Sequence, residues 1–126
     1  MTTKLTYQIL TNCIALVWLV NGLFCKVLNF VPRHEEIVSQ ILGEQYSREH
    51  TFFIGIGEVM ISVWIWSQYK IKENTYLQLA LVGLMNLIEF TLVPDLLLWG
   101  RFNLLFAILF MFSVYYRYRI SLKIEL

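Results

Sequence analysis

The chain has 126 residues, of which 58% are hydrophobic and only 15% are charged, and its mean hydropathy is +0.61. This composition leaves too little polar sequence to coat a soluble domain, so it predicts an integral membrane protein. A net charge of +1 gives no support for nucleic-acid binding. No linker or repeat divides the chain, and we expect a single membrane domain over residues 1–126.

Four apolar stretches approach the length of about 20 residues that a helix needs to cross a bilayer. The first is too long for a signal peptide and no small-residue cleavage site follows it, so we expect it to be retained. The last is short, and it spans only if Arg117, Tyr118 and Arg119 anchor or snorkel at its end. The predicted spans cover about 5–26, 51–69, 75–93 and 102–118.

The loop between the first two spans carries an amphipathic pattern with Pro32 before it and Gly43 after it. Such a pattern predicts a short helix lying at the membrane interface. The predicted fold class is therefore all-α, a four-helix transmembrane bundle with a short amphipathic helix between helices 1 and 2. The apolar face of the short helix holds Ile37, Val38, Ile41 and Leu42.

Glu58 and Glu89 each stand alone inside a predicted span. A carboxylate at such a depth costs about 2.5 to 3.5 kcal/mol on insertion scales, so it usually faces a partner, a cavity or a pathway. The surrounding apolar residues outweigh this cost, and both helices are predicted to insert.

The distribution of basic residues predicts the orientation of the bundle, because Lys and Arg in short flanks resist translocation. The side with both termini and the turn between spans two and three holds more of them than the opposite side. We therefore expect both termini to be cytoplasmic. The first side holds Lys4, Lys70, Lys72, Arg117, Arg119 and Lys123, and the other holds Lys26, Arg33, Arg48 and Arg101.

In this topology the two carboxylates lie at a similar depth, with Glu58 ~9 Å and Glu89 ~6 Å below the outer surface. Every span then contributes polar groups to the outer half of the membrane, and Gly55, Gly57 and Gly83 are predicted to let the helices approach closely there. The predicted polar cluster consists of Asn21, Lys26, Glu58, Asn86, Glu89, Arg101 and Asn103.

Two interpretations of this cluster are open. In the structural one, Glu58 and Glu89 pair with Lys26 and Arg101 and hold the helices in register. In the functional one, the cluster lines a small cavity in which a carboxylate binds or relays a proton or holds a polar ligand. The tryptophans and the Phe-rich fourth span of the inner half are interpreted as packing or lipid-facing residues.

Intrinsic catalysis has little support, and we predict no catalytic residue, no metal and no cofactor. Cys13 and Cys25 lie ~18 Å apart along one helix and cannot form a disulfide with each other. The sequence has no C-x-x-C, no nucleotide fingerprint and no nucleophile elbow. The His and acidic residues of the first loop fit no standard metal spacing; they are His34, Glu35, Glu36 and His50.

Several short motifs together resemble the DoxX-like family of small four-helix bacterial membrane proteins, over about residues 15–116. The resemblance adds Asp95 to the polar cluster and implies the bacterial inner membrane. The wider DoxX and DoxD group is associated with thiosulfate:quinone oxidoreductase and redox defence. The motifs begin at Asn21-Gly22-Leu23-Phe24-Cys25-Lys26, Val31-Pro32-Arg33-His34, Gly55-Ile56-Gly57-Glu58, Asn86-Leu87-Ile88-Glu89 and Val93-Pro94-Asp95, and the last continues to Arg101-Phe102-Asn103.

Two functional hypotheses follow. The first is a non-catalytic membrane subunit or scaffold, associated with a redox or quinone-linked partner such as an oxidoreductase. The second is a small-solute or proton-coupled transporter, acting as a homo-oligomer, in which Glu58 or Glu89 titrates. The lipid bilayer is the common partner of both.

Overall fold

Five α-helices and one π-helical segment build the described part of the protein in a computed structural model, which describes residues 3–92 and 103–124. In chain order these elements are α1 (Thr3–Leu19), the π-helical segment (Val20–Val27), α2 (Pro32–Leu42), α3 (Ser47–Ser67), α4 (Ile71–Leu92) and α5 (Asn103–Ser121).

Four of these helices are long and apolar enough to cross a membrane, which confirms the predicted all-α transmembrane architecture. α1 continues into the π-helical segment, so the first spanning helix covers Thr3–Val27. α3 and α4 each begin four residues before the predicted spans, and α5 extends three residues beyond its predicted end. The prediction followed the apolar stretches alone, whereas the helices also include polar residues at these ends.

Side-chain contacts define two ends of the bundle. At one end, which we call the α2 end, α2 packs against α3 and the π-helical segment. At the other, which we call the terminal end, Tyr7 of α1 and Arg117 of α5 both bond to Gln68 after α3. The spanning helices therefore alternate in direction, with both described chain ends at the terminal end.

The core lies between α1, α3, α4 and α5, and its largest member is Trp18. Outside it, large apolar side chains remain exposed on the spanning helices, as lipid contact requires. Phe53 is 69% exposed, Met60 66% and Phe112 68%. The buried core residues are Ile14, Ala15, Trp18, Ile61, Ile65, Val82, Ala107 and Val114.

The first loop forms the predicted helix, α2, with Pro32 in its first turn. Ile37 and Val38 are buried against the bundle, whereas Leu42 is 56% exposed. The apolar face of α2 is therefore turned partly toward the protein, because the π-helical segment and α3 offer it a packing surface.

Arg117 departs from its predicted role as an interfacial anchor, since it is only 1% exposed. Its Nε donates to Thr11 Oγ1 over 2.7 Å, and its Nη2 donates to the Tyr7 hydroxyl over 3.2 Å and to Gln68 Oε1 over 3.3 Å. The guanidinium also lies over the Tyr7 ring, 5.0 Å from its centroid. The prediction was wrong because polar groups from α1 and α3 satisfy this side chain inside the bundle.

Candidate binding cavity

A cavity of about 600 Å³ opens between the helices at the α2 end. Two residues of the predicted cluster, Asp95 and Arg101, lie outside the described residues. The other six, from all four spanning helices, line this one cavity: Asn21, Lys26, Glu58, Asn86, Glu89 and Asn103.

Lys26 and Glu58 form a buried ion pair in the cavity wall. Lys26 Nζ lies 3.0 Å from Glu58 Oε1 and 3.2 Å from Glu58 Oε2. The two side chains are only 8% and 7% exposed. The pair joins the first spanning helix to α3, as the structural interpretation of the cluster required for these two residues.

A glycine crossing brings the ion pair together. A Cβ atom on Gly22 would lie 2.6 Å from the backbone oxygen of Gly55, and a Cβ on Gly55 would lie 2.7 Å from the backbone oxygen of Gly22. Both distances are shorter than a side chain tolerates, so the two backbones touch at these positions. Lys26 and Glu58 each follow their glycine by about one helical turn.

The predicted roles of two other glycines were wrong. Among the described residues, nothing lies within 4 Å of a Cβ built on Gly57, and a Cβ on Gly83 meets only Met111 Cε at 3.4 Å. Gly22, which the sequence did not single out as a packing residue, is the partner of Gly55 at the crossing. Gly22 lies in the π-helical segment, at whose end Leu28 N donates to Leu23 O, five residues back, over 2.9 Å.

Arg48 fixes the end of the first spanning helix, a role that the sequence did not reveal. Its Nη1 donates to the Lys26 carbonyl over 2.6 Å and its Nη2 donates to the Val27 carbonyl. The last carbonyls of a helix have no partner within it and attract a cation. The contact therefore holds the backbone beside the Lys26–Glu58 pair in place.

Asparagines from three helices complete the polar wall. Asn103 Nδ2 donates to Asn86 Oδ1 over 2.9 Å, and Asn86 Nδ2 donates to the Val82 carbonyl over 2.8 Å. Asn21 Nδ2 donates to the carbonyl of Val17 in its own helix over 2.8 Å. The Asn86–Asn103 bond ties α4 to the start of α5.

Glu89 lines the cavity without the direct pairing that Glu58 makes. Its side chain is half-buried, and within residues 3–92 and 103–124 it has neither a hydrogen bond nor a salt bridge to its carboxylate. The two intramembrane carboxylates therefore differ: Glu58 is in an ion pair, whereas Glu89 faces the cavity.

α2 adds two basic residues to the cavity, Arg33 and His34. Burial lowers the pKa of His34 to about 4, and the nearby charges of Lys26 and Arg33 act in the same direction. His34 is consequently neutral at pH 7. The predicted polar cluster included neither residue, because the sequence gives no sign that α2 folds over the cavity.

Aromatic and aliphatic side chains form the deeper wall. Trp18 and Phe110 meet edge to face, with ring centroids 6.3 Å apart, and Phe106 lies beside them along α5. Trp18 Nε1 donates to Gln78 Oε1 over 2.8 Å. The cavity is thus polar toward α2 and apolar toward the bundle centre, a combination that suits an amphipathic small molecule.

Together the four spanning helices, the intramembrane ion pair and the charged cavity define a polytopic α-helical membrane protein. A family model described as the DoxX-like family matches residues 15–116, and the chain belongs to that family. No curated protein and no solved structure shows significant similarity to the chain.

Proposed function

We propose that this DoxX-like protein is a non-catalytic membrane subunit that binds a small amphipathic molecule in the cavity at the α2 end. The observation that carries the proposal is the division of the cavity wall into a polar and an apolar part. The Lys26–Glu58 pair occupies one side of the polar wall and leaves a volume of about 600 Å³ open beside it. A purely structural clasp would have filled that space.

A quinone is the ligand class that we propose first. Its ring carbonyls accept hydrogen bonds from donors such as Arg33 and the asparagine amides, and its ring and tail suit the Trp18 and Phe110 side of the cavity. The family resemblance points the same way, through the association of the wider group with quinone-linked oxidoreductases. The protein would then serve a redox partner and carry no electrons itself.

Thermal unfolding of the purified protein with decylubiquinone tests this proposal. Ala107 is buried and lines the cavity, so Ala107→Leu fills part of the volume, whereas Ala80 is exposed on α4 and Ala80→Leu is the matched control. We expect decylubiquinone to raise the melting temperature of the wild type and of Ala80→Leu but not of Ala107→Leu. An equal rise in all three proteins would contradict binding in the cavity.

A redox partner is tested by purification from native membranes under mild conditions. We expect an oxidoreductase to copurify with the protein. A solitary monomer under conditions that preserve other membrane complexes would contradict the subunit proposal while leaving ligand binding intact.

A second candidate function is proton-coupled transport with Glu89 as the titrating group. Glu89 supports it because, among the described residues, no direct ion pair reaches its carboxylate, whereas Glu58 is paired with Lys26. A carboxylate beside aromatic walls suits an organic cation. In pyranine-loaded proteoliposomes, ethidium addition would drive proton movement in the wild type and not in Glu89→Gln. Movement that persists in Glu89→Gln would rule out this residue as the coupling group.

For location, we propose the bacterial inner membrane, with both termini cytoplasmic. The excess of Lys and Arg at the terminal end of the bundle supports this orientation. A fluorescent protein fused after Leu126 is expected to fold and fluoresce on the cytoplasmic side, and an alkaline phosphatase fused at the same point is expected to be inactive. Active phosphatase there would reverse the topology.

A further inference from the structure

A second groove lies at the terminal end, on the outer surface between α1 and α5, with a volume of about 620 Å³. Phe112 is 68% exposed and Tyr116 56% exposed, so the groove opens toward the surrounding membrane. Its lining residues are Leu10, Phe112, Ser113, Tyr115, Tyr116, Arg119 and Lys123.

The lining changes in polarity along the helix axis. Leu10 and Phe112 form the apolar part, the two tyrosines follow, and Arg119 lies seven residues after Phe112, ~10 Å farther along α5. A phospholipid presents the same order from acyl chain to glycerol region to phosphate. Tyrosine in particular is favoured at the level of the headgroups.

The groove is also basic. Arg119 lies in the last turn of α5 and Lys123 lies two residues after the helix ends; both line the groove and both are exposed. Of the residues described, no Asp or Glu lines this groove. Two cations that line one groove can contact a single phosphodiester group, and their charge favours a lipid with a net negative headgroup over a zwitterionic one.

We propose that this groove binds one anionic phospholipid, with its phosphodiester between Arg119 and Lys123 and an acyl chain along Leu10 and Phe112. This site is separate from the cavity at the α2 end, and it does not depend on the function proposed for that cavity. The lipid would occupy the groove between α1 and α5, and its negative charge would match the positive charges of Arg119 and Lys123.

Native mass spectrometry of the delipidated protein with equimolar phosphatidylglycerol and phosphatidylcholine tests the site. We expect one phosphatidylglycerol to be retained with at least a fivefold preference. The double variant Arg119→Ala/Lys123→Ala is expected to reduce this preference to about one. Lys70→Ala/Lys72→Ala removes two exposed cations from the same end of the bundle but from outside the groove, and it is expected to keep the preference.

All four substituted positions are exposed, so the variants should fold, and circular dichroism checks this. The charge-conserving variant Arg119→Lys/Lys123→Arg is expected to retain phosphatidylglycerol. Equal retention of both lipids by the wild type, or an unchanged preference in Arg119→Ala/Lys123→Ala, would overturn the proposal.

Two further measurements separate the lipid from other occupants. Millimolar glycerol 3-phosphate is expected to leave phosphatidylglycerol bound, and its displacement would assign the groove to a soluble phosphate compound. Phe112→Cys is expected to give no more disulfide-linked dimer than the wild type in lipid-free detergent. Efficient dimer formation through that position would assign the groove to a second copy of the chain. Either result would overturn the lipid proposal.

Discussion

The two ends of the bundle handle buried polar groups in opposite ways. At the terminal end, Arg117 is surrounded by neutral partners, which include the Tyr7 hydroxyl, Thr11 and Gln68. At the α2 end, an ion pair holds the helices together, yet Glu89 and several other polar side chains face a cavity. Burial of a charge within a span therefore does not identify a ligand site; the unfilled space beside it does.

Residues that look alike in the sequence take different roles in this bundle. Glu58 and Glu89 look equivalent in the sequence, since each is the lone carboxylate of its apolar stretch. In the fold, Glu58 forms an ion pair with Lys26, whereas Glu89 faces the cavity. Substitutions at both ends of the bundle test this division.

The Lys26–Glu58 pair should dominate the stability of the α2 end. Lys26→Met leaves the Glu58 carboxylate buried without its cation, and such a change costs about 3 to 5 kcal/mol. In the double variant Lys26→Met/Glu58→Met most of this loss should be recovered, because a well-packed apolar pair replaces both charges. The free energy of unfolding in detergent measures the effect in a double-mutant cycle.

Glu89→Gln is the matched control for that cycle, because it removes a carboxylate from the same cavity without breaking an observed ion pair. We expect it to change the unfolding free energy by less than about 1 kcal/mol. A loss as large as that of Lys26→Met would contradict the distinction between the two carboxylates.

A substitution at the glycine crossing should reduce the free energy of unfolding nearly as much as Lys26→Met does. Gly55→Ala places a Cβ 2.7 Å from the Gly22 carbonyl oxygen, a backbone atom that cannot rotate away. We expect a loss of about 3 kcal/mol, at the upper end of the usual range for overpacking. Gly57→Ala, two residues along the same helix, meets nothing within 4 Å in the described part of the chain and should be neutral or stabilising by up to about 1 kcal/mol. Equal effects of the two substitutions would rule out the backbone contact.

At the terminal end, a substitution of Arg117 can keep the positive charge of the side chain while changing its hydrogen-bonding geometry. Arg117→Lys retains the cation but cannot reach Thr11 and Gln68 at once, because an ammonium lacks the planar fork of a guanidinium. We expect a loss of about 2 kcal/mol, the value of one or two hydrogen bonds to a charged group. Arg119→Lys, at an exposed neighbouring position, should change stability by less than about 0.5 kcal/mol. Thermal unfolding of both variants measures the difference.

The sequence predicted the four spans from the lengths of its apolar stretches. It predicted the clustering of polar residues because consecutive spans alternate in direction, which brings these residues to the same depth. It named Lys26 and Arg101 as partners for the two carboxylates but did not decide which cation each carboxylate takes. Arg117 and Arg119 follow the same aromatic stretch, and only tertiary packing buries one and exposes the other. Gly57 misses the crossing because it lies two residues after Gly55 and so points to the opposite side of α3, and the partner of Gly55 is Gly22 of the π-helical segment. Likewise, the amphipathic pattern predicted the helix α2, but it did not indicate the cavity beneath this helix.

The smallest expected effect concerns His34, whose position over the cavity distinguishes the α2 end from the terminal end. Because its pKa is lowered to about 4 in the folded protein, the unfolded chain binds more protons between about pH 6.5 and pH 4. Stability attributable to His34 is therefore present above this window and is lost as the pH falls through it. Since the ring is partly exposed, solvent screening reduces the loss to about 1 kcal/mol. His34→Gln removes the titrating group, so the difference in melting temperature between the wild type and the variant should shift in favour of the variant from pH 7.5 to pH 5. A difference that stays constant over this range would place His34 in water, and α2 would then not cover the cavity.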